Sequence, residues 1–218
     1  MQCIFSGNTI GSKLYSDGKS ISPMMPEELR ITKCEKCKTI FWLKKVDPKN
    51  VSSNFIKSPD ILIDDGPLVS FLELDTKGPL IKFTPEISPQ RANFLSIQDN
   101  FKTLELGLAE NPEEEKYIRI RIWWRFNDRA RFKKRLFHSE EEKFMWKENL
   151  KELLKLLDQK SINERIMNAE INRNLGNFEI CESILESIKS SGYQKFKKGI
   201  MNKALKRSSK TFVFENKS

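Results

Sequence analysis

The sharpest chemistry-bearing spacing in this 218-residue sequence is Cys34-Glu35-Lys36-Cys37. Two cysteines separated by two residues can turn inward on a tight knuckle and offer two thiolates to one zinc ion. A structural zinc site takes four ligands and usually two such pairs. Cys3, with thirty residues between it and Cys34, is a third candidate ligand. Cys181 sits on an apolar helical stripe and reads as a buried thiol. His138, the only histidine, follows a basic run and makes a poor fourth ligand. Zinc is therefore the implied cofactor, and this incomplete ligand set is not expected to hold it stably.

The same Cys-x-x-Cys spacing occurs as a redox pair at the start of a helix that follows a strand. Here a turn-rich stretch precedes the pair, and Thr39-Ile40-Phe41-Trp42-Leu43, rich in β-branched and aromatic residues, follows it as a strand. A metal-dependent or redox enzyme using Cys34 and Cys37 is thus the third functional reading. A Ser/His or Cys/His nucleophilic pair would have only His138 to use. Asp60, Asp64 and Asp65 could face a hard cation, but Asp64-Asp65-Gly66-Pro67 reads more simply as a turn. No glycine-rich phosphate loop and no Gly-x-Ser-x-Gly is present, so no residue is nominated as catalytic.

The elements that must position these residues divide the chain in three. Residues 1–46 read as short strands and turns, with Asp17-Gly18 between Lys13–Ser16 and Lys19–Ile21 as a hairpin signal. Residues 47–87 hold five prolines and few helix signals, and read as a linker with short strands such as Leu68–Leu74. From Ser88 helix signals dominate. Ser88-Pro89 predicts a helix to about Leu108, and Asn111-Pro112 with Glu113 to Glu115 predicts one to Phe126, stopping near Asn127-Asp128.

Ser139-x-x-Glu142 and Ser161-x-x-Glu164 are capping boxes. Trp146, Leu150, Leu153, Leu154 and Leu157 share the face of the helix behind the first. Gly176 predicts a helix stop, and Asn177 a cap for a helix with Phe178, Cys181, Ile184, Leu185 and Ile188 on one stripe. A last helix spans about Tyr193 to Arg207, after which Phe212-Val213-Phe214 could dock. Short loops make the helices antiparallel neighbours. The pair Ile162–Leu175 and Asn177–Lys189 resembles a tetratricopeptide repeat, with Ala169 and Cys181 at its small positions and Phe178 at its aromatic one.

Charge is uneven. The net charge is +9, made of +4 over residues 1–60, −6 over 61–118 and +11 over 119–218. Residues 119–138 and 191–218 each hold eight basic residues against a single acid. Such segments could attract nucleic acid or acidic partners, although a solvated basic face is the plainer reading. Trp123-Trp124-Arg125-Phe126 could stack on bases, but its spacing with Ile118 and Ile122 is core-like. No apolar stretch approaches the roughly 20 residues of a membrane helix, and the first residues carry no secretory signal, so no membrane is expected and the cytoplasm is the default location.

Several segments in order resemble a family of uncharacterised bacterial proteins with an N-terminal zinc-ribbon-like module and a helical, repeat-like C-terminal part. They are Ser6-Gly7-Asn8-Thr9-Ile10-Gly11, Tyr15-Ser16-Asp17-Gly18, Pro23-Met24-Met25-Pro26, Cys34-x-x-Cys37-x3-Phe41-Trp42, Glu115–Arg119 with Trp123-Trp124-x2-Asn127-Asp128, Met167-x-Ala169-Glu170-x2-Arg173, and Leu175–Phe178. The resemblance implies architecture and no activity. Its members carry a further Cys-x-x-Cys knuckle ahead of the Ser-Gly-Asn-Thr segment, which this sequence lacks. The expectation is a start placed too late, with loss of zinc binding as the alternative.

The fold class expected is α+β: a small, incomplete zinc-ribbon-like β module (1–46), a linker (47–87), and a mainly α antiparallel helical-hairpin array like a tetratricopeptide domain (88–218). The function expected is a non-catalytic protein–protein interaction module, with nucleic-acid binding through 119–138 and 191–218 as the alternative.

Overall fold

The computed structural model describes residues 11–23, 27, 29–43 and 94–214. The 47–87 linker, Ser88-Pro89, Asp60, Asp64, Asp65 and Cys3 lie outside them. The chain is α+β: two small antiparallel hairpins come first and a helical array follows. The described residues fall into two compact units, one within Met1–Met25 and Asn100–Ser218, the other within Pro26–Asp99.

In the first unit, β1 (Lys13–Leu14) pairs with β2 (Ser20–Ile21) around Asp17-Gly18, and Gly18 takes a φ of +79°. A side chain at that φ is disfavoured, which is why the turn needs glycine. Helix α1 (Ile97–Glu105) spans the boundary of the two units. Its cap is reciprocal: the Asp99 amide donates to Ser96 Oγ at 3.0 Å, and the Ser96 hydroxyl donates to Asp99 Oδ2 at 2.9 Å.

Helix α2 (Pro112–Arg131) starts where its sequence says it should. Asn111 Oδ1 accepts from the Glu114 amide at 3.0 Å, and Pro112 fills the first position. It continues five residues past the expected stop at Phe126. Asn127 and Asp128 prefer caps because their side chains usually compete for backbone groups. Here those side chains are buried and bonded to the first hairpin, so the competition is removed.

Helices α3 (Glu140–Lys155) and α4 (Ile162–Leu175) begin at the two capping boxes: Ser139 Oγ accepts from the Glu142 amide and Ser161 Oγ from the Glu164 amide. Gly176 ends α4 at a φ of +87°. Helix α5 (Phe178–Ser187) follows, though the Asn177 side chain does not cap it and donates to Asn172 Oδ1 instead. A 3-10 turn (Ser191–Tyr193) leads into α6 (Gln194–Leu205).

The core of this unit is the stripe the sequence predicts. Ile118, Ile122, Trp123, Phe126, Leu150 and Leu153 are fully buried. At roughly 1.5–3 kcal/mol for each large apolar side chain, burial of this kind dominates the favourable side of folding. A second cluster joins Ala169, Cys181, Leu185, Ile200, Ala204 and Phe214. Ala169 and Cys181 are small where α4 meets α5, which lets the two helices approach closely. The tail docks: Val213 bridges Tyr15, the Phe214 amide donates to the Leu14 carbonyl, and the Ser16 amide donates to the Phe212 carbonyl. The chain's last described segment is thereby tied to its first hairpin by one β-bridge and its flanking hydrogen bonds.

In the second unit, β3 (Ile31–Lys33) pairs antiparallel with β4 (Ile40–Trp42), with Lys33 opposite Ile40. Ile31, Ile40, Trp42, Leu95 and Ile97 are buried. Lys33 Nζ pairs with Asp99 Oδ1 at 2.7 Å.

Candidate functional site

Two places concentrate chemistry. The first is the turn between β3 and β4, which holds Cys34 and Cys37. The Cys34 amide donates to the Thr39 carbonyl at 2.9 Å, and the Lys38 amide donates to the Cys34 carbonyl at 3.0 Å. Lys38 takes a φ of +59°, which folds the chain back on itself within five residues. The consequence is a knuckle on which both thiols are free and face each other. Cys37 is exposed and Cys34 half-buried. Cys37 Sγ lies 3.2 Å from Thr39 Oγ1. Hydrogen bonds from the Thr39 hydroxyl and backbone and from the Cys34 thiol favour its charged form and lower the Cys37 pKa to about 7.

Two thiolates are half of what a structural zinc needs. Among the described residues no group of three or more His, Cys, Asp and Glu side chains could hold a metal ion, so the knuckle is not completed there. His138 is exposed, with its amide donating to Glu142 Oε2 at 2.7 Å. Cys181 is buried, and desolvation pushes its thiol up to about 12, which makes it inert at neutral pH. The pair sits in a β-turn and not at a helix start, unlike a thioredoxin-type motif.

The second place is a cluster of buried charges around the tip of the first hairpin, which sequence reasoning missed. Asp17 is 1% exposed. Its carboxylate accepts from the Lys19 amide at 3.2 Å, from Asn127 Nδ2 at 2.7 Å and from Arg131. Arg131 also donates to Asp128 Oδ1 at 2.6 Å, and Lys19 Nζ to Asp128 Oδ2 at 2.7 Å. The Arg131 guanidinium lies 4.4 Å from the Tyr15 ring centre, and Trp124 Nε1 donates to the Asp17 carbonyl at 3.0 Å.

Beside these, Glu170 and Arg173 are both fully buried and doubly hydrogen-bonded. Burial pushes the Glu170 carboxyl up while Arg173 pulls it down. Arg173 and Asn174 then donate to the carbonyls of Ser208, Ser209 and Lys210, fixing the tail. Three acids, Asp17, Asp128 and Glu170, balance three bases, Lys19, Arg131 and Arg173. The carboxylates and cations pair with one another, so the cluster ties the first hairpin to α2 and ties α4 to the tail. The one signal that could have found it is the density of Asp, Asn, Glu and Arg on predicted buried helical faces.

Arg119, Arg121, Arg125 and Arg129 of the basic 119–138 segment are largely engaged within the protein. Arg119 pairs with Glu115 at 2.7 Å and Arg129 with Glu142 at 2.6 Å. Arg121 is buried over the Tyr117 and Trp124 rings, and Arg125 is half-buried. Trp123 is core, donating Nε1–H to Asn174 Oδ1 at 2.9 Å. Lys195, Lys198, Lys206 and Lys210 near the C-terminus are exposed.

One cavity of about 270 Å³ opens beside the hairpin, walled by Leu14, Ile166, Met167, Tyr193, Phe196 and Phe214, with Ser16, Asp17 and Asn163 at its polar margin. No described helix is long and apolar enough to cross a membrane. In comparisons with known proteins, no family model, curated protein or solved structure matches this chain.

Proposed function

We propose that this protein is a non-catalytic protein–protein interaction module that receives a large apolar side chain of a partner's peptide segment on its helical unit. The observation that carries the reading is the 270 Å³ cavity between α4, α6 and the first hairpin, walled by aliphatic and aromatic side chains and edged by polar groups. Such a lining offers an apolar anchor site with orienting polar atoms. The adjoining 191–218 segment carries eight basic residues against Glu215 alone, which favours acidic residues around the anchor.

Membership in the bacterial family noted above belongs to the same reading. Its supporting segments Tyr15–Gly18, Trp124–Asp128 and Glu170–Arg173 converge on the buried charge cluster. The tetratricopeptide likeness is supported by one helical hairpin, α4–α5. Nucleic-acid binding is the weaker reading, because the internal ion pairs of Arg119 and Arg129 leave the 119–138 segment with less free charge.

Peptide display against the whole chain tests the proposal. Selected sequences should share one large apolar residue with acidic neighbours, and Met167→Lys should abolish their binding while leaving the folded state intact by circular dichroism. Binders that survive Met167→Lys, or oligonucleotide binding that weakens steeply with salt in place of peptide binding, would overturn it.

A further inference from the structure

We propose that Cys34 and Cys37 form a dithiol that exchanges with low-molecular-weight aliphatic disulfides, Cys37 making the mixed disulfide and Cys34 resolving it. Four observations carry this. Both thiols are free and lie on one five-residue turn closed by two backbone hydrogen bonds. The Cys37 sulfur is exposed, while Cys34 is half-buried, so an incoming disulfide meets Cys37 first. Cys37 Sγ lies 3.2 Å from Thr39 Oγ1, a contact that fixes the exposed sulfur on the turn. Lys36 and Lys38, both exposed, flank it in sequence, which favours an anionic disulfide such as oxidised glutathione.

The steps balance. The Cys37 thiolate attacks one sulfur of the small disulfide, a protein–glutathione S–S bond forms, and one glutathione thiolate leaves. Cys34 then loses its proton and attacks the Cys37 sulfur, the mixed bond breaks, and the second glutathione thiolate leaves. The protein dithiol is oxidised by two electrons, the disulfide is reduced to two thiols, and the protons of the dithiol end on the released glutathione. Cys34 is held next to Cys37 by the turn, so the second step is intramolecular. Cys181 takes no part, because its thiol is buried and protonated.

The test is incubation of the full-length folded chain with oxidised glutathione in the presence of a chelator, followed by quenching, peptide mapping and mass spectrometry. The wild-type chain should yield an internal Cys34–Cys37 disulfide with no lasting adduct. Cys34→Ser should accumulate glutathione on Cys37, and Cys37→Ser should react at Cys34 at least about tenfold more slowly. A disulfide that uses Cys3, a faster adduct at Cys34 than at Cys37, or thiols that react only after unfolding would each overturn the assignment. The peptide-display result is independent of this one, since the cavity and the knuckle share no residue.

Discussion

The two hairpins are near-copies in size and opposite in use. Each pairs two short antiparallel strands around a tight turn, and each turn contains a residue in the left-handed region, Gly18 in the first and Lys38 in the second. At the tip of the first, Ser16, Asp17 and Lys19 are buried, while Gly18 is exposed. Asp17 takes Lys19, Asn127 and Arg131 as partners, and a β-bridge ties the tail to Tyr15. The tip of the second has Glu35 through Thr39 exposed and presents an ionisable sulfur. A turn saturated by the protein's own charges is a joint. A turn left in solvent with reactive groups can serve chemistry.

The largest way to break this comparison is to remove the charge from the first tip. Asp17→Ala leaves the buried Arg131 guanidinium with the Asp128 carboxylate and the Trp124 carbonyl, and removes the acceptor of Asn127 Nδ2. Breaking a buried, hydrogen-bonded ion pair costs about 3–5 kcal/mol. Urea denaturation should show a loss of that size, whereas Lys36→Ala at the exposed second tip should stay within about 0.5 kcal/mol. Equal effects at the two tips would collapse the distinction between joint and solvent-facing turn.

A mid-sized effect probes the tail that locks the first hairpin. Gly199 lies within α6, where alanine would normally gain about 1 kcal/mol. A Cβ there would stand 2.8 Å from the Phe214 ring, so the ring must move. Overpacking of this kind costs about 1–3 kcal/mol, which outweighs the helical gain. Gly199→Ala should therefore destabilise the chain and speed proteolysis beyond Ser208. In a Phe214→Ala background the same substitution should stabilise it. A double-mutant cycle without this change of sign would show that the tail does not hold the hairpin through Phe214.

Much of the helical array is legible from local signals. Asn111, Ser139, Ser161 and Gly176 mark ends that depend on a side chain or a φ supplied by the residue itself, and these fall where the sequence puts them. The end of α2 does not, because Asn127 and Asp128 are satisfied by Asp17 and Lys19, more than a hundred residues away. Ser88-Pro89 predicts the start of the first helix, yet residues 94–96 are not helical and α1 begins at Ile97, behind the Ser96–Asp99 hydrogen bonds that only the folded loop forms. The knuckle is legible for a similar local reason: the spacing of Cys34 and Cys37 fixes a turn by itself. The charge cluster is not, since nothing local states that Asp17, Asp128 and Glu170 will share one interior. Helical period marks Trp123 and Phe126 as core, and both are fully buried; Arg121, one of the basic residues of the same segment, is buried beside them.

The smallest effect sharpens the comparison at the one feature the two turns share. Gly18 at a φ of +79° carries no Cβ to strain, while Lys38 at +59° does. A left-handed conformation costs an L-residue roughly 1–2 kcal/mol. Lys38→Gly removes that strain and keeps the amide that donates to the Cys34 carbonyl, but adds unfolded-state entropy worth about 0.4–1 kcal/mol. The net expectation is a gain of up to about 1 kcal/mol in urea denaturation. Gly18→Ala should move the other way by a similar amount. The exchange rate of Cys37 with oxidised glutathione in Lys38→Gly then separates two uses of the lysine. An unchanged rate means that Lys38 serves the turn alone, and a fall of a few-fold means that its charge draws the anionic disulfide to the sulfur.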